Sequence, residues 1–120
     1  MNEKYYRSIR ISEVLKKEIS YIFLKKINDP RIIKSMLTVL DIKLSKDLSN
    51  ANIYIGFMTE NNKDICNKTI KIVQNCAGYI RSLLSKKIQL RITPILNFKH
   101  DTSFSTGNYI SNIINQIKNN

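Results

Sequence analysis

Histidine, cysteine, glycine, proline and tryptophan are all scarce in this chain of 120 residues, which has one, two, three, two and none of them respectively. Each shortage closes off a kind of chemistry. His100, Cys66 and Cys76 are too few and too scattered for a clustered His/Cys zinc centre. Gly56, Gly78 and Gly107 stand more than 20 residues apart. No loop therefore gathers several glycines to press backbone amides onto a phosphate, as a Walker A or dinucleotide loop must. No nucleophile elbow is present. The longest apolar run, Tyr21–Leu24, falls far short of the roughly 18–20 residues that span a bilayer. Residues 1–7 contain no apolar stretch that could act as a signal peptide. The expectation is a cytoplasmic protein that is not an enzyme and carries no cofactor.

Acidic residues are scarce too. Nine Asp and Glu face twenty Lys and Arg, a net charge of +11. Such an excess concentrates polyanions, and nucleic acid is the usual partner. Ile, Lys and Asn together fill 50 of the 120 positions, so part of the lysine excess belongs to a bias that runs through the whole sequence. The five arginines, Arg7, Arg10, Arg31, Arg81 and Arg91, carry more weight. The length suits one domain with a real core and is too short for two. Residues 1–120 are read as one domain without repeat or linker.

Apolar residues at 11, 14/15, 19, 22 and 27 recur every three to four positions, which predicts a basic amphipathic helix over 6–27. Asn28-Asp29-Pro30 stops it. Its apolar stripe suits a core-facing helix, with a membrane-surface helix as the competing reading. Met36 to Leu44 alternates and predicts a strand with Met36, Thr38, Leu40, Ile42 and Leu44 on one face. After the turn-rich Ser45–Asn50, a second strand over 51–58 turns Ile53, Ile55 and Phe57 inward, and so short a connection makes an antiparallel hairpin. Helical spacing returns from Ile65 to Cys76, breaks at Ala77-Gly78 and resumes to Ile88, giving two helices with a kink. Ten residues of helix place Cys66 and Cys76 about 15 Å apart, too far for a disulfide. A last strand over 90–99 contains Pro94, which suits a sheet edge or bulge, and a last helix covers about 105–118. The order is α-β-β-α-kink-α-β-α.

Several segments fall in a distinctive order: an arginine-bearing first helix running into Asn28-Asp29-Pro30-Arg31; Leu44-Ser45-Lys46-Asp47-Leu48-Ser49-Asn50-Ala51; Gly78-Tyr79-Ile80-Arg81-Ser82-Leu83-Leu84; Leu90-Arg91-Ile92-Thr93-Pro94; and Phe98-Lys99-His100-Asp101-Thr102-Ser103. This order and spacing resemble the ribosome-binding factor A family, assembly factors of the bacterial small ribosomal subunit, over about residues 4–117. The resemblance implies an α+β fold like the type II KH domain, a three-stranded sheet with helices packed on one face. KH domains clamp a nucleic-acid backbone with a Gly-x-x-Gly loop between two helices. In this family the loop is a kink read as Ala-x-Gly, here Cys76-Ala77-Gly78 with cysteine in first place. Ile95 and Thr106 stand where many relatives carry glutamate. The resemblance further implies a monomer that binds the free 30S subunit and its 16S rRNA, supports late maturation and processing, and works by binding energy toward one RNA conformation.

Candidate contacts follow, each with a plainer reading beside it. Arg7, Arg10 and Lys17 share one broad side of the first helix, for phosphate contact or as a solvated face. Arg31 reaches rRNA or ties its loop to Asp29. Arg81, Lys86 and Lys87 flank the kink in the KH-like pair of helices. Arg91 is expected on the outward face of the last strand beside Asp41 or Lys43, for RNA contact or a cross-strand ion pair. Gly78 serves flexibility or close helix packing, so Gly78→Val is expected to impair both folding and binding. Tyr54 points away from the inner face, where it could stack on a base, and His100 reads as a strand-end residue and not an acid–base catalyst. The competing functions are a general nucleic-acid-binding module and a peripheral membrane protein acting through the first helix.

Overall fold

The stripe of the first helix sets how the chain wraps its sheet. In the computed structural model, which describes residues 3–34, 36–58 and 62–101, helix α1 runs Glu3–Lys25. Leu15, Ile19, Ile22 and Phe23 are buried, and Phe23 meets Phe98 edge-to-face with ring centroids 5.8 Å apart. Asn28-Asp29-Pro30 ends α1 as expected, but a short helix α2, Pro30–Lys34, follows at once. The Asp29 carbonyl accepts from the N–H groups of Ile32 and Ile33 at 3.0 and 3.1 Å. Proline suits a first helical position because its missing N–H would be unpaired there anyway. The residue that stops one helix starts the next.

Strands β1, Leu37–Leu44, and β2, Asn50–Phe57, form the expected antiparallel hairpin. In β2 burial alternates from Asn50 to Ile55, and Ala51, Ile53, Ile55 and Phe57 are all buried. In β1 it does not. Val39 and Ile42 are the buried pair, while Thr38 is exposed. The register slips between Val39 and Asp41, the mark of a bulge, and one extra residue reverses the phase of every side chain before it. The expected inner face therefore holds only at Ile42 and Leu44. Met36 lies before the strand with a left-handed φ of 49° and is exposed.

The hairpin turn is organised by one carboxylate. Asp47 Oδ1 accepts from the hydroxyls of Ser45 and Ser49, each at 2.7 Å, and from the Ser49 N–H at 3.1 Å. These bonds favour the charged carboxylate and pull the Asp47 pKa down to about 2. The neighbouring Leu48 is held at a φ of 62°, where a side chain is strained.

Helix α3, Lys63–Asn75, starts earlier than its apolar residues suggest. The Asn62 side chain caps it, accepting from the N–H groups of Asp64 and Ile65 at 2.9 and 3.3 Å. The chain breaks at Cys76, and α4 runs Ala77–Lys87, so the kink stands where the small residues placed it. Cys66 is buried, and neither cysteine is part of a disulfide. Strand β3, Ile95–His100, pairs parallel to β2 in the order β1-β2-β3. It begins five residues later than the alternation from Leu90 suggests, and Ile92 is 61% exposed. Arg81 of α4 occupies the backbone acceptors just before the strand. Its Nε donates to the carbonyls of Thr93 and Pro94, each at 3.2 Å, and its Nη2 donates to Thr93 at 2.8 Å. The expected last helix, about 105–118, lies outside the described residues.

The helices meet the buried face of a mixed three-stranded sheet, an α+β fold with the expected KH-like order around the kink. The opposite face carries Asn52, Asn97 and Lys99, with Lys43 Nζ 5.6 Å from the centroid of the Tyr54 ring. The outer edge of β3 would expose a carbonyl and an N–H. Gln74 of α3 takes both: its amide donates to the Leu96 carbonyl at 3.0 Å and accepts from the Phe98 N–H at 2.8 Å.

Truncating that clamp, Gln74→Ala, should lower stability by about 1–2 kcal/mol, the net worth of two hydrogen bonds, measured by thermal melting. Acid should act in two steps. Burial lowers the His100 pKa, and the nearby Asp101 only partly offsets this, so the neutral ring favours the fold above pH 6.5 and that support fades below it. Asp47, with its pKa depressed, contributes above its ordinary 3.8 and loses that contribution as pH falls toward 2. Melting temperature should fall through both windows, and Asp47→Asn should flatten the lower one.

Candidate nucleic-acid interface

Arg7, Arg10 and Lys17 are exposed along α1. What stands beside them depends on the far end of α4, which lies against α1. Lys87 Nζ is 3.1 Å from Glu18 Oε2 and 4.7 Å from the centroid of the Tyr21 ring. Lys87 is thereby committed to holding two helices together, and the chain emerging from α4 passes the apolar side of α1. A shallow cavity of about 270 Å³ opens between them, walled by Ile11, Val14, Ile88 and Leu90 and rimmed by Arg7 and Arg10. A second cavity of about 340 Å³ shares Arg7, Ile11 and Leu90 and adds Leu48, Asp47 and Arg91.

Arg91 is therefore not where its alternation put it. β3 has not yet begun at residue 91, and β2 separates β3 from β1, so neither Asp41 nor Lys43 can pair with it across strands. It shares a cavity with Arg7 instead. Among the described residues, Arg7, Arg10 and Arg91 make no ion pair. Guanidinium groups without a carboxylate partner are the ones available to phosphate.

The kink is a separate place. Eleven residues of α4 put about 16 Å between it and the seam. Cys76 closes α3 and opens α4 without a side-chain cap, and Cys76 and Ala77 are half-buried against the core. Gly78 is exposed in the first turn of α4, its φ is not positive, and a Cβ built on it would meet nothing within 4 Å. Close helix packing, one of the two expectations, does not explain it, and no left-handed backbone requires it. An exposed glycine that the fold does not require leaves room for a ligand backbone to approach.

Arg31 belongs to α2, which packs against α3, but its guanidinium is held. Nε and Nη2 donate to the two Asp29 carboxylate oxygens at 3.0 and 2.8 Å, and the Arg31 N–H donates to Oδ1 at 2.9 Å. The side-chain bonds from Arg31 lower the Asp29 pKa. The structural tie is thus present. Arg81 is also held, by Thr93 and Pro94, whereas Lys86 is exposed. The cavity walls were not singled out from the sequence. Their signal was the doubled apolar pair Val14-Leu15: Leu15 is buried, leaving Val14 47% exposed with no part in the core.

Comparison with known proteins agrees with this architecture. A family model described as ribosome-binding factor A matches residues 7–114. A protein named ribosome-binding factor A from Buchnera aphidicola of Schizaphis graminum is 43% identical over 115 residues, covering 96% of this chain and 92% of that protein. Its counterpart from Buchnera aphidicola of Cinara cedri is 44% identical over 117 residues, covering 98% and 100%. The crystal structure of ribosome-binding factor A from Thermus thermophilus superposes with a TM-score of 0.67 at 22% identity, covering 78% of this chain and 93% of that one. A homology model of the Thermus thermophilus factor, fitted into a cryo-electron microscopy map of a 30S complex, superposes with a TM-score of 0.60 at 21% identity, covering 77% and 92%. Among the described residues, no helix is long and apolar enough to cross a membrane.

Gly78→Ala should raise stability by about 0.5–1 kcal/mol, because the helix gains propensity and nothing is crowded. Gly78→Val should melt near wild type yet bind RNA more weakly. Melting curves read beside binding isotherms separate the two effects.

Proposed function

The chain belongs to the ribosome-binding factor A family, and we propose that it binds the free 30S ribosomal subunit through 16S rRNA and supports the late maturation and processing of that RNA. The observation that carries this reading is the pairing of family membership with a surface where Arg7 shares one cavity with Arg10 and the next with Arg91, none of them in an ion pair among the described residues. The Thermus thermophilus factor, fitted as a homology model into a map of a 30S complex, supports the small subunit as the partner. The protein acts as a cytoplasmic monomer and makes or breaks no covalent bond.

Its mechanism is selective binding. Arginines and lysines on α1 and in the connection before β3 neutralise phosphates, which fixes register but carries no sequence information. The kink Cys76-Ala77-Gly78 brings a bare stretch of backbone to the RNA, and Lys86 adds charge at the far end of α4. Arg31, Arg81 and Lys87 act mainly by holding the elements that present the others. A ligand shifts an equilibrium only by its differential affinity for the two states. The factor therefore favours whichever conformation of the immature subunit matches both the kink and the arginine seam.

Co-sedimentation with separated ribosomal particles over a salt series tests this. Retention on free small subunits, with little on large subunits or joined ribosomes, is the expected result. Equal, salt-labile retention on every particle would overturn it and leave a general nucleic-acid-binding module. Each phosphate neutralised contributes about 0.7–0.9 to the slope of log affinity against log salt. Arg7→Gln with Arg10→Gln should therefore flatten that slope by nearly two phosphate contacts while leaving the melting temperature unchanged.

A further inference from the structure

We propose that the cavity between α1 and the end of α4 takes an unpaired nucleobase, with Arg7, Arg10 and Arg91 holding the flanking phosphates, so that this face reads single-stranded and not duplex RNA. The inference rests on the small-subunit reading and deepens it. Ile11, Val14, Ile88 and Leu90 form walls with no polar side chain, and the two arginines on the rim make no ion pair among the described residues. Phosphate contact alone needs no apolar slot. A duplex presents a polar, charged exterior with its bases stacked away, so these walls offer it nothing. An unstacked base has a flat apolar face that gains from leaving water, and guanidinium planes stack on such faces.

Two further features fit the same occupant. Val14 is 47% and Ile92 61% exposed, so apolar surface beside the arginines lies open to water. On the other side of Arg7, the second cavity carries the strained Leu48 and the Asp47 carboxylate. That carboxylate is already hydrogen-bonded to Ser45 and Ser49. It places a negative charge in the cavity that Arg7 and Arg91 share, which disfavours an acidic peptide lying along the whole length.

The test uses the full chain with methyl groups labelled for NMR and three probes: a short single-stranded RNA, the same chain with abasic sugars, and a duplex of the same sequence. Ring currents from an inserted base should shift the methyls of Ile11, Val14, Ile88 and Leu90 with the single strand only. The abasic strand should bind several-fold more weakly, while the Nε–H signals of Arg7 and Arg10 respond to both strands. Val14→Asn, at an exposed position, should melt like wild type and bring the base-bearing strand toward the abasic affinity. Unmoved wall methyls, equal affinity for the two strands, or equal shifts with the duplex would overturn the proposal. Unmoved methyls together with retention on small subunits would leave the 30S reading standing. Shifted methyls without such retention would do the reverse.

Discussion

The turn at Cys76 is the constraint on which the arrangement of this molecule depends. One unbroken helix from Lys63 to Lys87 would run some 37 Å and could serve only one line across the sheet. Broken after Asn75, the chain does two jobs. α3 lies beside β3 and lends Gln74 to its edge, and α4 turns so that its last residues reach α1. The residues at the break are small, and they pack against the core or against nothing at all, so the bend is not enforced by local crowding. It persists because the two helices on either side are each anchored: Val73 below the break, and Ile80 and Leu84 above it, are buried.

The same break sorts the cations. Arginine is suited both to tying backbone carbonyls and to meeting phosphate, because its planar fork presents several donors at once. Here the two uses fall on different residues. Arg81 and Arg31 spend their donors on Thr93, Pro94 and Asp29, fixing the connection before β3 and the entry to α2. Lys87 joins them at Glu18. Arg7 and Arg10 on α1, and Arg91, which shares a cavity with Arg7, remain exposed. A net charge of +11 favours polyanions in general, and the internal ties separate the cations that hold the fold from those that do not.

Periodicity made most of the elements legible. The stripe of α1, the alternation of β2 and the small residues at the kink each state a local preference that the tertiary structure keeps. The sequence misleads where one residue changes phase or has two meanings. The bulge between Val39 and Asp41 inverts half of β1, and no composition signal marks it. Pro30 ends one helix and begins another. Leu90 to Phe98 alternates convincingly, yet Arg81 claims the carbonyls of Thr93 and Pro94 from a distance of 12 residues or more in sequence, which no local pattern could reveal. The candidate site was legible as a list of cations but not as a surface. Its apolar walls come from two helices and a connection whose meeting depends on the packing of α4 against α1, and that meeting moved Arg91 from the sheet to the seam.

The Gln74 amide also determines what this sheet can do in company. An extended segment from another molecule could lengthen the sheet only by hydrogen-bonding along an outer strand. On the β3 side a glutamine side chain already mimics one residue of such a segment. On the β1 side, the slip between Val39 and Asp41 distorts the run of groups that a newcomer would have to match. The fold thus resists strand addition at both margins, including from a second copy of itself. A basic protein with such margins can be drawn to polyanions by charge without offering them its sheet backbone.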